Sequence, residues 1–252
     1  LNLHDFFCTL VYNKNEYYVL YEAASGYSTL TWSSGNQGFA LTGSGYAPND
    51  FPTSISPNGR TGNCLQLITR ETGSLGTLVG MPIAAGNLFI GSFDIGSAMS
   101  DALSATKFGT TFYYEPIKLV GYYKYKAGPE FYENGEYTNR KDVFNIYALF
   151  YEKTKDVQML DGHITKNNYE HENMVAAAVI TDTHETSEWT RFELDFNYEH
   201  YGKTIDPQKL ANGGYNVSIV LSASKDGDVF QGAPGSTLLI DDLELVCKQP
   251  LR

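Results

Sequence analysis

The sequence predicts an all-β protein, a two-sheet β-sandwich of the jelly-roll type with very little helix. Nine stretches are either alternately apolar and polar or continuously apolar over strand length. They are separated by loops rich in Gly, Asn, Asp and Pro, such as "SPNGRTGN" and "KAGPEFYENGEY". One short stretch, Met99–Thr106, has a helical pattern. Short strands at this spacing are typical of two facing antiparallel sheets.

The expected strands follow from the apolar pattern in chain order. They are Tyr17–Ala23, Cys64–Thr69, Leu88–Phe93, Ile117–Lys126, Val143–Glu152, Met174–Thr181, Trp189–Phe196, Tyr215–Ala223 and Thr237–Cys247. The stretch "VFNIYALFY" is apolar on both faces, so we expect a central strand that is covered on each side.

Length and charge limit the domain organisation and the partners. The chain has 252 residues and a formal net charge of −11. We assign residues 25–252 to one jelly-roll domain, and residues 1–24 to an edge strand or the remnant of a preceding domain. An acidic chain repels phosphate groups, which argues against a nucleic-acid partner. No apolar run reaches the length of about 18 residues that a membrane span requires, so we expect no membrane insertion.

Two predicted strands carry polar faces with aromatic rings. Tyr122 and Lys124 share one face of the first strand, and Trp189, Arg191 and Glu193 share one face of the second. The loop after the first strand adds further rings, Tyr132 among them. Neutral sugars stack their C–H faces on such rings and take orientation from polar neighbours. We therefore predict that these six residues bind saccharide.

The last strand, "GSTLLIDDLELV", contains two carboxylates. Strict alternation places Asp241 or Asp242 in an apolar row whichever face is buried. Three partners would make such a carboxylate tolerable: a calcium ion, an Arg or Lys side chain, or backbone N–H groups of a loop packed over the sheet. We regard Asp241 and Asp242 as candidate ligands of a structural calcium ion, and we expect that no other cofactor is required.

Paired carboxylates leave a catalytic alternative open. A glycoside hydrolase would need two of them facing one cleft, at a separation that sequence cannot supply. Glu152, Asp161, Glu193 and Asp195 are the candidates. A third alternative is a structural or adhesive surface module without a small ligand, whose aromatic face docks another protein.

Several segments together resemble the putative carbohydrate metabolism domain family, which occurs mainly in surface and periplasmic proteins of glycan-using bacteria of the Bacteroides type. They are "WSSGNQG", "AAGNLFIGSF", "TKFGTTF", "GYYKYKAG", "LDG", "SEWTRFELDF" and "LSASKDGDVFQGAPGSTLLIDDLEL". The resemblance implies a jelly-roll similar to galactose-binding-like and carbohydrate-binding modules. It also implies an extracytoplasmic location, at the outer-membrane surface or in the periplasm, with a lipid anchor upstream of this chain. In related sugar-binding jelly-rolls, an aspartate of the last strand often binds calcium.

We therefore expect a carbohydrate-binding module of a secreted or surface-attached protein involved in glycan use. Its partner would be a poly- or oligosaccharide. We expect a monomer, and a binding protein rather than an enzyme.

Overall fold

The computed structural model describes residues 2–3, 7–13, 15–22, 30–94, 96 and 101–248. Its body consists of two antiparallel sheets. The strands of the first sheet, in spatial order, are β19 (Thr186–Asp195), β13 (Pro116–Lys126), β21 (Thr237–Cys247), β6 (Cys64–Ile68) and β5 (Thr53–Ser56), with β1 (Asn2–Leu3) paired to the far half of β21. Numbering follows the chain.

The second sheet faces the first. Its strands, in spatial order, are β12 (Thr110–Phe112), β20 (Tyr215–Ser222), β16 (Asn145–Glu152) and β18 (Met174–Val179), with β9 (Asn87–Phe89) also paired to β20. β16 lies between two neighbours and is buried along almost its whole length. The expectation of a central strand covered on both sides is confirmed.

The main core lies between the two sheets. Leu119 and Tyr123 of β13 point into it from one side, and Ile219 and Leu221 of β20 from the other. All four are at most 2% exposed. Burial of such side chains contributes roughly 1.5–3 kcal/mol each, so alternate residues of each strand hold the sheets together. The predicted β-sandwich of jelly-roll type is confirmed.

A second apolar cluster covers the outer side of the second sheet, where Phe89, Tyr147 and Val220 point away from the main core. A small sheet of β10 (Gly91–Phe93), β11 (Thr106–Phe108) and β17 (Leu160–Asp161) packs over them. The single strand predicted at Leu88–Phe93 is therefore two strands, which belong to different sheets.

The remaining strands form small sheets at the periphery. They are β2 (Phe7–Asn13), β3 (Asn15–Glu22) and β4 (Leu30–Thr31); β7 (Arg70–Glu71) and β8 (Ile83–Ala84); and the hairpin of β14 (Phe131–Glu133) and β15 (Glu136–Thr138). β3 packs on the sandwich, since Leu20 is part of the main core. The boundary predicted between residues 24 and 25 lies outside the described residues, and the division into 1–24 and 25–252 stays a prediction.

The helices whose bounds lie within the described residues are short. They are α1 (Asn36–Leu41), α2 (Gly73–Leu78), α3 (Ala102–Ala105), α4 (His163–Lys166), α5 (Tyr198–Tyr201) and α6 (Pro207–Ala211), with 3-10 turns at Pro48–Asp50 and Gly227–Val229. α3 matches the end of the predicted helical stretch, and Asp101 caps it by accepting hydrogen bonds from Leu103 N and Ser104 N. Met99 and Ser100 lie outside the described residues. The expectation of only one helical stretch is wrong, because helices of one or two turns show too little periodicity to be recognised.

A β-bulge interrupts the last strand. Val120 pairs with Glu244 and Tyr122 with Asp241, so two residues of β21 lie opposite Gly121 alone. Asp242 has a left-handed φ of 47° at this point. The bulge shifts the alternation, so the core row is Leu238, Ile240, Leu243 and Leu245. Strict alternation was wrong here, and neither carboxylate lies in the core row.

None of the helices in the described part of the chain has the length and apolar character needed to cross a membrane.

Candidate functional site

Five of the six residues predicted to bind saccharide lie together on the outer face of the first sheet. We call this surface the sheet face; it consists of Tyr122, Lys124, Trp189, Arg191 and Glu193. Tyr122 pairs with Arg191 across β13 and β19. All five side chains are at least partly exposed.

Cations cover the rings of the sheet face. The guanidinium carbon of Arg60 lies 3.6 Å from the centroid of the Tyr122 ring, and Lys124 Nζ lies 5.1 Å from that of Trp189. Glu193 accepts a hydrogen bond from Lys118 and forms an ion pair with Arg191 at 2.6 Å. These cations hold the pKa of Glu193 below its ordinary value, Lys118 contributing most. The sheet face is thus a paired, charged surface, and a sugar would have to displace a cation to stack on it.

The two aspartates of the last strand fasten a loop over this sheet. Asp241 is 2% exposed, and its Oδ2 accepts a hydrogen bond from Arg60 N at 2.6 Å. Its Oδ1 accepts the N–H of Asp242 at 2.9 Å. The Asp242 carboxylate forms an ion pair with the Arg60 guanidinium. Of the three partners considered, the contacts match an arginine and backbone N–H groups.

Calcium fits these residues poorly. Both carboxylates already have protein partners, and one partner is a cation that calcium would have to displace. In the described parts of the chain, no three or more His, Cys, Asp or Glu side chains are grouped to hold a metal ion. A calcium ion at Asp241 and Asp242 therefore stays a prediction.

A concave site lies on the opposite side of the molecule, outside the second sheet. Two cavities of about 160 Å³ and 100 Å³ adjoin there. We call them together the groove, and its two halves the outer cavity (the larger) and the inner cavity. Both are lined by Ala85, Asn87, Thr106, Gly227 and Asp228.

The apolar walls of the groove are aromatic. Phe93 lines the outer cavity, and Phe89, Phe108 and Tyr147 line the inner one. Phe93 is partly exposed, whereas the other three rings are buried. Burial raises the pKa of Tyr147 well above its ordinary value, so its hydroxyl stays neutral. Of these four rings, Phe93 is therefore the one most open to a ligand.

Polar groups line the same groove. Asp228 accepts hydrogen bonds from Thr165 Oγ1 at 2.6 Å and from Lys166 Nζ at 3.0 Å. Asn87 accepts from Gly35 N at 2.9 Å, and Asn145 donates to the Tyr169 hydroxyl at 3.0 Å. Asp228 is the only carboxylate among the described residues of the groove. The site thus combines aromatic rings, amides, hydroxyls and one carboxylate held in place by its own partners.

One wall of the groove is a short loop, residues 226–232, which we call the wall loop. It closely approaches the connection between β8 and β9, because a Cβ atom on Gly227 would lie only 2.2 Å from Ala85 Cβ. Phe230 adopts a left-handed conformation, with φ 58° and ψ 33°. This is uncommon for a bulky side chain and costs roughly 1–3 kcal/mol. The conformation places the Phe230 ring in the wall of the outer cavity.

A buried aspartate fastens the segment that contains the wall loop. Asp142 is 2% exposed, and its Oδ2 accepts hydrogen bonds from Ser224 Oγ at 2.5 Å, Ala233 N at 2.8 Å and Ser236 Oγ at 2.7 Å. Ser224 and Ala233 flank the wall loop on its two sides. One carboxylate therefore sets the distance between the ends of the loop.

Tyr132 lies away from the sheet face, in the β14–β15 hairpin beside the wall loop. Its backbone exchanges two hydrogen bonds with Gly232, at 2.9 Å and 3.2 Å. It lines a separate cavity of about 270 Å³, together with Asn134, Phe230 and Gln231. The structure therefore divides the six predicted residues between two surfaces.

Two carboxylates, Asp161 and Glu170, line a further cavity of about 410 Å³ beside α4. Asp161 Oδ1 lies 3.0 Å from His163 Nδ1, and Glu170 Oε1 lies 2.5 Å from His200 Nε2. The other carboxylates considered for catalysis lie elsewhere. Glu152 forms an ion pair with Lys209, while Glu193 and Asp195 share Lys118.

The groove could not be predicted from the sequence. Its residues come from segments far apart in the chain, and only their contacts bring them together. One signal was present in the glycine-rich segment "KDGDVFQGAPGS", which contains the wall loop. Its composition indicates a turn and does not reveal that the turn forms the wall of a cavity.

Two crystal structures are similar to the chain over nearly its whole length. One, a putative glycoside hydrolase from Bacteroides vulgatus ATCC 8482, is 94% identical with a TM-score of 0.94, and the alignment covers 98% of this chain and 97% of that one. The other, a putative glycoside hydrolase from Bacteroides thetaiotaomicron VPI-5482, is 48% identical with a TM-score of 0.90, covering 99% of this chain and 71% of that one. None of the curated proteins matches the chain.

The sequence profile of the putative carbohydrate metabolism domain matches residues 5–246. The match includes all the segments that carry the resemblance, and it extends further towards the N-terminus. Since it covers nearly the whole chain, the protein belongs to the putative carbohydrate metabolism domain family.

Proposed function

We propose that the domain binds a saccharide in the groove. The observation that carries this proposal is the position of Phe93, a partly exposed ring in a concave site that also contains Asn87 and Asp228. A sugar offers C–H groups to a ring and hydroxyl groups to amides and carboxylates. A single carboxylate that is already paired with Lys166 suits a neutral sugar better than a cation.

The biological setting is part of the same proposal. Membership of the family supports a role in carbohydrate metabolism. We propose that the protein is secreted or surface-attached, acts outside the cytoplasm as a monomer, and binds a poly- or oligosaccharide during glycan use. A lipid anchor upstream of this chain would hold it at the outer membrane.

The test is a calorimetric titration against soluble plant, host and microbial glycans, using three matched aromatic-to-alanine variants. Phe93→Ala removes the ring of the groove, and we expect it to weaken binding about tenfold or more, a loss of about 1.4 kcal/mol. Tyr46→Ala removes a ring that is 84% exposed and lines neither half of the groove, and it should bind as the wild type does. The melting temperature of each variant checks that it is folded.

Trp189→Ala decides between the two surfaces. Unchanged binding supports the groove, whereas a loss confined to Trp189→Ala would assign the saccharide to the sheet face, as predicted from the sequence. If no glycan binds the wild type, the proposal is wrong, and a structural or adhesive module becomes the better interpretation.

A second candidate function, glycoside hydrolysis, is favoured by one observation. Asp161 and Glu170 line the same cavity beside α4, and hydrolysis requires two carboxylates at one site. The two similar crystal structures both belong to putative glycoside hydrolases. If this function is correct, Asp161→Asn and Glu170→Gln should each abolish the release of reducing sugar from a polysaccharide. Phe93→Ala leaves the cavity beside α4 intact and should not change this release.

A further inference from the structure

A further cavity shares the Phe230 side chain with the groove. It measures about 270 Å³ and lies between the β14–β15 hairpin, the wall loop and the segment after α2. We call it the hairpin cavity. Phe230 lines both this cavity and the outer cavity of the groove. Since Phe230 is partly exposed, its ring is accessible to a ligand in either cavity.

The hairpin and the wall loop are joined firmly. Besides the two backbone hydrogen bonds between Tyr132 and Gly232, Arg140 contacts both elements. It binds Glu133 of the hairpin at 3.0 Å, forms an ion pair with Asp226 of the wall loop, and lies 4.2 Å from the centroid of the Phe131 ring. The spacing between the hairpin cavity and the groove is therefore fixed before any ligand arrives.

Aromatic rings recur along this path. Phe93 stands in the outer cavity, Phe230 between the cavities, and Tyr132 in the hairpin cavity. All three are partly exposed. Phe230 is held in a left-handed conformation that a bulky residue rarely adopts, and such conformations cluster where a ligand is held. Repeated rings at fixed positions suit a ligand made of repeated units, each with an apolar face.

We propose that the ligand is a linear oligosaccharide of at least three sugar residues, which occupies the inner cavity, the outer cavity and the hairpin cavity in a row. The proposal rests on the proposed function of saccharide binding in the groove. It extends that function by assigning successive sugar residues to three cavities and by setting a minimum length of three residues for full affinity. It also assigns Tyr132, which does not lie on the sheet face, to the far end of the binding path.

The test uses calorimetric titrations with mono- to pentasaccharide series from amylose, cellulose, xylan, mannan and galactan. For the series that binds, we expect the affinity to increase up to at least the trisaccharide. Tyr132→Ala should weaken binding of the longer members about tenfold and leave the monosaccharide and disaccharide unchanged. Tyr132→Phe keeps the ring and should restore the wild-type dependence on chain length.

Gln231→Ala provides a second variant, should Tyr132→Ala fail to fold, because this residue also lines the hairpin cavity. It should weaken the longer ligands selectively, by a smaller factor. An affinity that does not change with chain length overturns this inference alone. So does a substitution of Tyr132 or Gln231 that weakens the binding of short and long ligands equally. If none of these series binds the wild type, the proposed function is overturned, and this inference with it.

Discussion

The sheet face and the groove have similar compositions but offer very different surfaces to a ligand. Both combine aromatic rings with a carboxylate that is paired with a lysine. On the sheet face, however, Arg60 and Lys124 cover the rings, and its side chains line neither the groove nor the hairpin cavity. In the groove, Phe93 stands partly open in a concave wall. Aromatic and polar composition alone therefore does not identify a binding site, because loops outside the sheet create the concavity.

The two buried aspartates extend the comparison. Asp241 fastens a loop over the first sheet through Arg60 N, and Asp142 fastens the segment containing the wall loop through Ser224, Ala233 and Ser236. Each offers a buried carboxylate to groups of a loop. Only Asp142 holds the wall of a cavity. In one region, the hydrogen bonds to the buried carboxylate only hold a loop in place. In the other, they also hold the wall of a candidate site.

The largest effect should follow from Asp142→Ala. The substitution leaves the N–H groups of Ala233 and Val143 without their acceptor, which costs about 3 kcal/mol or more in the free energy of unfolding. For a chain of this size, we expect the melting temperature to fall by about 6–12 °C. Urea unfolding and scanning calorimetry measure the two quantities. A loss below about 1 kcal/mol would contradict the role assigned to this carboxylate.

Arg60→Ala should have a smaller effect on the other region. It removes the ion pair with Asp242 and the contact with Tyr122 but keeps the backbone N–H that Asp241 accepts. We expect a loss of about 1 kcal/mol in the free energy of unfolding and no change in glycan affinity.

The same melting experiment with a chelator tests calcium at Asp241 and Asp242. A fall in the wild-type melting temperature on chelation, restored by added calcium, would show that a metal ion holds this strand.

The contribution of the buried Asp142 carboxyl to the free energy of unfolding should depend on pH. Desolvation raises the pKa of Asp142 above its ordinary value of 3.8, although its hydrogen-bond donors oppose the shift. At a pH between the ordinary pKa and the raised pKa, the folded protein keeps a proton that the unfolded chain has lost. The contribution of Asp142 to stability therefore falls as the pH rises through the raised pKa. Asp142→Asn cannot titrate. The advantage of the wild type over this variant should therefore shrink as the pH increases from about 4 upwards.

Urea unfolding of both proteins over that pH range measures the difference. If the stability advantage of the wild type over Asp142→Asn grows with pH, the hydrogen-bond donors around Asp142 stabilise its charged form by more than burial destabilises it.

The smallest effect should come from Arg191→Ala on the sheet face. The ion pair with Glu193 is exposed to solvent, and such pairs contribute less than about 1 kcal/mol. We expect little change in stability or in glycan affinity. A strong loss of affinity would bring the sheet face back as the binding surface.

Much of the fold could be predicted because alternation reports which side of a strand is buried. β13, β16 and β20 lie within one or two residues of their predicted bounds. Alternation failed in β21, where the bulge at Asp242 adds a residue that no periodicity shows. It correctly placed Tyr122 with Lys124 on one face of β13, and Trp189 with Arg191 and Glu193 on one face of β19, whereas the pairing of the two strands came only from the structure. It could not show that cations cover their rings.

The groove could not be predicted, because it depends on contacts between distant segments. Asp142 and Ala233 are far apart in the chain, and so are Tyr132 and Gly232. A single sequence contains no record of such pairs. Loops around glycines indicate turns but do not say which turns meet.

The most direct measurement is a crystal structure of the protein soaked with the tightest-binding oligosaccharide of the series. We expect the sugar chain to lie in the groove, with one ring against Phe93 and a hydroxyl within hydrogen-bond distance of Asp228. A sugar chain resting on Tyr122 and Trp189, with an empty groove, would contradict this account.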